Sequence, residues 1–278
     1  HTYAASHDAE IFDLETYLNN TMENPEGFFN PSCKTLLIYG DINKVEVSLI
    51  TKILNERFNV STVDLVTGGA PCESFSMAGD RKEDDDRNVL YKNVLRIARG
   101  VNSKMFLFEN VKGLFSKKLN GVSGAMFKYI CDEFQSEIEG LPSYKLCSTE
   151  QNKVLLKAIE YGVPQARERV FLVGVNRQFN STYKYPEPTH GPNRAFKYVT
   201  VGDAIMDLPQ IQKGEESHTY NFDINTVTKT ERLDYLNRMR GTFSNPPENL
   251  GYAVTSLYNH KSPGHTIKML NRISAIKP

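Results

Sequence analysis

Apolar positions in this chain follow two different spacings. Thr35-Leu-Leu-Ile-Tyr39, Val63-Asp-Leu-Val-Thr67, Met105-Phe-Leu-Phe108 and Val170-Phe-Leu-Val-Gly-Val175 are short and almost wholly apolar, as strands covered on both faces are, and Tyr144–Ser148 reads as a further strand. Between them, apolar residues return every three or four positions. Val45, Leu49, Ile53 and Leu54 make a stripe on a helix over Val45–Arg57, and Leu90, Val94, Ile97 and Ala98 face inward from a helix over Val89–Arg99. Gly124–Ile138 is a third predicted helix. Phe12, Leu14, Tyr17 and Leu18 place another over Ala9–Asn20, after the tail of a strand at Thr2–Ser6. Asn24–Cys33, with Pro25, Gly27, Asn30 and Pro31, and Lys112–Lys118 read as loops. No internal repeat or low-complexity segment is visible. The pattern is that of an α/β chain.

Ligands of open α/β sheets bind beyond the carboxyl ends of the strands, so the residues just past each strand matter most. After Val63–Thr67 come Gly68 and Gly69, which allow a sharp turn and close approach to a ligand, then Pro71, which stiffens the chain, and Cys72. That is a nucleophile's position, although a lone cysteine is also a small buried hydrophobe elsewhere. After Met105–Phe108 comes Glu109, a carboxylate that must face a site or carry a cost. Beside a thiol and an aromatic base, partly desolvated, its pKa can rise until it donates a proton near neutral pH. In Gln165-Ala-Arg-Glu-Arg169 the spacing of two puts Arg167 and Arg169 on one face and Glu168 on the other. Two guanidinium groups there suit a phosphate or a base carbonyl, or they pair with nearby acids. Asp8 either accepts from a ribose diol or caps a helix. Asp41, ahead of Val45–Arg57, is open to the same capping role.

Composition narrows the class only a little. The 278 residues hold 33 Lys or Arg and 33 Asp or Glu, so net charge nominates no nucleic-acid binder. Lys229–Pro278 is locally basic, with eight Lys or Arg against three acids, which suits a phosphate-facing region or a solvated surface. The longest apolar runs fall far short of the roughly 20 residues of a spanning helix, and the amino end lacks a signal-peptide pattern. No membrane partner is expected. Cys33, Cys72, Cys131 and Cys147 show neither metal-ligand pairing nor a disulfide framework, so no metal is expected and a reducing compartment is.

Three motifs in order carry a resemblance. Pro71-Cys72 followed by Ser74-Phe75-Ser76, then Glu109-Asn110-Val111, then Gln165-Ala-Arg-Glu-Arg169, resemble the nucleophile, Glu-Asn-Val and Gln-x-Arg-x-Arg motifs of the DNA (cytosine-5) methyltransferases. The likeness runs from about Ser6 to Pro209. It implies a class I S-adenosylmethionine-dependent fold, a Rossmann-like mixed sheet with strand order 3-2-1-4-5-7-6. It implies Cys72, Glu109, Arg167 and Arg169 as catalytic residues, Pro71, Ser76 and Asn110 as contacts to a cytosine flipped out of double-stranded DNA, and Arg87 as a contact to DNA phosphate. For S-adenosylmethionine it implies Asp8 on the ribose, Asp41 and Ile42 in a Gly-Asp-Ile element on the adenine, and Ala9, Gly69 and Leu90 around the pocket. Ala9 stands where several members have a bulky side chain, and Asn88 where most have glycine. The acidic run Asp80–Arg87 falls where members close a loop over the base.

The resemblance also implies two domains, a catalytic one over 1–185 and, over 186–278, a connection and the start of a DNA target-recognition region. The family's opening strand with its Gly-rich turn, and its closing Arg-rich and Gly-Asn-Ser motifs, have no match here. The expectation is a piece of an enzyme or one chain of a split one, completed by missing segments or a second chain. The activity expected is sequence-specific methylation of cytosine carbon 5, as in restriction-modification systems, in the cytoplasm of a bacterium or phage host or in a eukaryotic nucleus. A transfer-RNA methyltransferase and a catalytically silent DNA-binding subunit are the alternatives. The motif Ala70-Pro71-Cys72 lacks the double proline typical of the RNA branch.

Overall fold

The computed structural model describes residues 9–15, 35–69, 90–240, 256–264 and 266–275. The chain divides into two compact units, His1–Leu156 with Glu168–Pro186, and Lys157–Arg167 with Glu187–Pro278.

In the first unit, β1 (Ala9–Asp13) runs parallel to β2 (Thr35–Tyr39), with Ala9 opposite Thr35 and Asp13 opposite Tyr39. Over residues 9–15 the helix predicted at Ala9–Asn20 is therefore corrected to a strand followed by a helical turn at Leu14 and Glu15, and 16–20 lie outside the described residues. A stretch as short as Ala-Glu-Ile-Phe-Asp satisfies either period, and pairing with β2 decides it. A second sheet runs in the order β3 (Leu65–Gly68), β4 (Met105–Val111), β7 (Glu168–Asn176), β5 (Tyr144–Leu146), while β6 (Leu155–Lys157) pairs with β7 off this path. β3 is parallel to β4, and β7 is antiparallel to β4 and β5. These sheets correspond to strands 3-2 and 4-5-7-6 of the expected order. Among the described residues β3 pairs only with β4, and Leu65 is 47% exposed, so the strand expected to be buried is an edge.

Helix α1 (Val47–Phe58) buries Leu49 and Ile53 and ends on Asn59 in the left-handed conformation, whose N–H closes on Asn55 and Leu54. Helix α2 (Lys92–Gly100) buries Val94, Leu95 and Ala98, so Leu95 rather than Ile97 completes the inward stripe. Helix α3 (Ala125–Gln135) buries Phe127, Ile130 and Phe134. The expected loop at Lys112 is a short 3₁₀ helix, Lys112–Ser116, anchored by buried Leu114.

The core lies where α2 and α3 cover the second sheet. Phe106 and Phe108 of β4 are fully buried and meet Phe134 edge-on, with ring centroids 5.0 and 5.3 Å apart. Gly174 on β7 sits directly opposite Phe106, and a Cβ there would lie 2.2 Å from its ring. Glycine is the only residue the ring admits. Gly174→Ala is expected to cost about 1–3 kcal/mol by overpacking, seen as a lower urea midpoint at unchanged slope.

In the second unit, α4 (Val201–Ile205) begins with a reciprocal cap, the Thr200 side chain accepting from Asp203 N–H and the Asp203 carboxylate from Thr200 N–H. Asp203 also accepts from Lys229, the residue preceding α5 (Thr230–Met239). Buried Asp207 accepts from the Tyr220 hydroxyl at 2.8 Å and from Arg240 at 2.9 Å. A last helix, α6, spans Ile267–Ser274. No helix among the described residues is long and apolar enough to cross a membrane.

Candidate active site

Unequal strand lengths create the site. β3 and β4 pair only as far as Gly68 opposite Phe108, whereas β4 and β7 continue to Val111 opposite Arg169. Glu109 thus projects past the end of β3 while β7 still holds its backbone. The sequence places the end of the strand at Glu109, and the structure moves it to Val111 because β7 supplies the ladder. Phe106, Phe108 and Asn110 share the buried face, which leaves Glu109 on the other.

Register then selects its partner. Glu109 is opposite Phe171, and Arg169, two residues before Phe171 on the same face, is its diagonal neighbour. The Arg169 Nε lies 2.8 Å from Glu109 Oε1, both side chains being partly buried, and Arg169 Nη1 donates to the Glu168 carbonyl at 2.8 Å. Glu168 points the opposite way, as expected, and takes Lys112 at 2.9 Å. Glu109 is held in one orientation by a guanidinium whose own position is fixed by backbone.

The two glycines after β3 have different neighbours. A Cβ on Gly68 would fall 2.3 Å from Val94 Cγ2, so the space is occupied by α2 rather than by a ligand. A Cβ on Gly69 would lie 3.1 Å from Glu109 Oε2, the oxygen not held by Arg169. Gly69 therefore passes directly beside the carboxylate, three residues before Cys72 in the chain.

The other expected site residues separate into three groups. Asp8, Pro71, Cys72, Ser76 and Arg87 lie outside the described residues. Arg167 is exposed, precedes β7 and belongs to the second unit, where its carbonyl accepts from Ala158 N–H, so the strand face predicted to carry both arginines carries only Arg169. Asn110, expected to touch substrate, is 1% exposed, with Oδ1 on Val111 N–H and, among the described residues, no partner for Nδ2. Ala9 begins β1, at the end away from Asp41, and the carboxyl-edge position falls to Asp13. Leu90 is half-buried in the turn entering α2.

Asp41 and Ile42 do come after a carboxyl strand end, that of β2. Asp41 caps the 3₁₀ turn Ile42–Lys44 by accepting from Asn43 N–H, and Ile42 is 38% exposed. An exposed carboxylate beside an exposed apolar side chain suits the amino group and flat face of an adenine. Sequence reasoning missed the residues behind this turn. Arg96 of α2 donates to the carbonyls of Val45 at 2.8 Å and Ile42 at 2.9 Å, and Asn93 donates to Asn43 at 2.9 Å. Both sit beside the buried stripe of α2, where polar residues ordinarily face solvent, and nothing in their spacing sets them apart.

Of the remaining cysteines, Cys131 is buried within the core and its thiol is pushed up to about 12 by that burial, leaving no thiolate at neutral pH. Among the described residues no group of His, Cys, Asp or Glu side chains is gathered as a metal ion requires.

The sequence profile of the C-5 cytosine-specific DNA methylases matches residues 32–275, and the chain belongs to that family. It is 30% identical over 245 residues to the type II methyltransferase M.DdeI of Desulfomicrobium norvegicum, covering 84% of this chain and 51% of that protein. It is 43% identical over 148 residues to M.BspRI of Lysinibacillus sphaericus, covering 53% and 32%. With M.AquIA of a Picosynechococcus species it shares 37% identity over 188 residues, 63% of this chain and 71% of that one. The chain thus spans about half the length of M.DdeI and about a third of M.BspRI.

Proposed function

We propose that this chain carries the base-handling part of an enzyme that moves a methyl group from S-adenosylmethionine to carbon 5 of cytosine in DNA, at a specific sequence, within a restriction-modification system. The observation that carries this is the Glu109 carboxylate, held by Arg169 at the end of β4 and brushed by Gly69 on its way to Cys72. Three residues of chain reach at most about 11 Å, so thiol and carboxylate are able to serve one base.

Carbon 5 of cytosine is a poor nucleophile. Attack of the Cys72 thiolate on carbon 6 forms a carbon–sulfur bond, and a proton delivered from Glu109 to ring nitrogen 3 takes up the displaced electron pair, leaving an enamine. Its carbon 5 would then take the methyl from the positively charged sulfur of S-adenosylmethionine, that sulfur–carbon bond breaking with its electron pair kept by the departing S-adenosylhomocysteine. Loss of the carbon 5 proton restores the carbon 5–carbon 6 double bond and expels the thiolate, and ring nitrogen 3 returns its proton to Glu109. Neither face of a stacked cytosine is open to a thiol, so the base leaves the helix first. Asp41 and Ile42 would hold the adenine end of the cofactor, with Asp8 on the ribose and Gly69 and Leu90 nearby. Pro71, Ser76 and Arg87 would meet the flipped nucleotide and its strand, with Arg167 on the base carbonyl or backbone. The basic segment Lys229–Pro278 would face phosphate, consistent with residues 186–278 beginning a target-recognition region.

The test is transfer of labelled methyl by the complete polypeptide, with any companion chain, to duplex DNA and to transfer RNA in parallel. Incorporation into duplex DNA is expected. Incorporation only into RNA assigns the RNA branch, and the absence of both transfer and S-adenosylmethionine binding assigns a silent DNA-binding subunit.

A further inference from the structure

The turn between β2 and α1 is short, exposed and held from one side. Residues 41–44 are all exposed, and the 3₁₀ turn Ile42–Lys44 is too short to be stable alone. Helix packing does not require the links to it. α1 and α2 already meet where Val47 fills the space that a Cβ on Gly100 would need, 2.1 Å from its Cγ1. Yet Arg96 turns its guanidinium to this turn, Nη1 and Nη2 reaching the Val45 and Ile42 carbonyls while Nε donates to Asn93 Oδ1 at 3.0 Å. Asn93 in turn donates from Nδ2 to Asn43, whose N–H is bonded to Asp41 Oδ1.

We infer that Arg96 and Asn93 are positioning residues for cofactor recognition: from α2 they set the shape of the Asp41–Val45 turn, so that Asp41 and Ile42 present the carboxylate and apolar surface an adenine needs. This rests on the assignment of that turn to the cofactor. The guanidinium satisfies carbonyls three residues apart with two donors of one rigid plane, which a lysine cannot do. Because Val94 of the same helix fills the space beside Gly68, α2 also packs behind the end of β3.

The experiment is calorimetric binding of S-adenosylhomocysteine, which has no methyl to transfer, to the complete polypeptide and to Arg96→Met, Arg96→Lys and Asn93→Ala. Methionine keeps most of the apolar stem and removes the donors. Arg96→Met is expected to weaken binding roughly tenfold or more, and Lys to recover part of that. Asn93→Ala, which leaves the bonds from Arg96 to backbone in place, is expected to weaken it by a few-fold. Single-turnover methylation at saturating cofactor should stay within about twofold of the parent in each, because no group at the reacting atoms is altered. A residue that only stabilised the fold would lower the melting temperature and leave affinity alone. If the parent binds and all three variants bind equally well, the positioning role is overturned whatever their melting temperatures. If the parent itself takes up no S-adenosylhomocysteine, the cofactor assignment of the turn fails and this inference with it.

Discussion

DNA in which the target cytosine carries fluorine at carbon 5 is expected to trap the complete polypeptide as a covalent adduct that survives denaturation, and Cys72→Ala is expected to form none. The reason lies in the order of bonds. Thiolate attack at carbon 6 and methyl transfer to carbon 5 proceed with fluorine in place, but the final elimination removes a proton from carbon 5, and fluorine cannot leave as a cation. The enzyme halts with its sulfur attached. Cys131 offers no substitute, since it is buried with its thiol held protonated. Omitting S-adenosylmethionine should sharply reduce the stable adduct, because the unmethylated enamine can collapse back to the pyrimidine by expelling the thiolate, whereas after methylation carbon 5 carries fluorine and methyl and has no proton to lose. A denaturation-resistant adduct that persists in Cys72→Ala would show that another group attacks the base and would remove Cys72 from the mechanism.

What the sequence revealed of this site depends on the range of the interaction concerned. Glu109 and Arg169 are legible because each belongs to a local motif at a strand edge, and position along the chain carries the signal; Cys72, in a motif of the same kind, lies outside the described residues. The pairing of Glu109 with Arg169 was not visible, because it depends on the register of β4 against β7, a contact between residues 60 positions apart. The same long-range pairing extended β4 to Val111, put Asn110 on the buried face, and left Arg167 outside β7 although its spacing to Arg169 suited a shared strand face. Ala9–Asp13 misled for a related reason: five residues fit two periods, and only the parallel partner Thr35–Tyr39 distinguishes them. Gly68 shows a subtler limit. A glycine after a strand suggests room for a ligand, but in the folded chain Val94 takes that room, and only Gly69 lies against the site. Arg96 and Asn93 gave no sequence signal at all, since their acceptors are backbone carbonyls and a side-chain amide around 50 residues earlier.

Replacing Glu109 by Gln tests what the carboxylate does. Glutamine has nearly the same size, and its carbonyl oxygen can still accept from Arg169 Nε, so the 2.8 Å contact that orients residue 109 is retained. The amide that replaces Oε2 keeps a hydrogen-bond donor toward the space beside Gly69 but carries no proton it can give away. Binding of DNA and of cofactor should therefore change little, while single-turnover methylation slows. General acid catalysis typically contributes about 10²–10⁴-fold, which is about 3–5 kcal/mol of barrier, and a loss of that order is expected. A carboxyl group that merely hydrogen-bonds the flipped cytosine in the ground state makes the opposite forecast, weaker DNA binding with a nearly normal rate once bound. Arg169→Met separates orientation from proton transfer. Without its guanidinium partner residue 109 is still a carboxyl group but loses its fixed direction, so the rate should fall less than in Glu109→Gln and the two losses should not add, because both act on one proton transfer. Parent-like single-turnover rates for Glu109→Gln at saturating DNA and cofactor would reduce the carboxylate to an orienting group and move the proton to another donor.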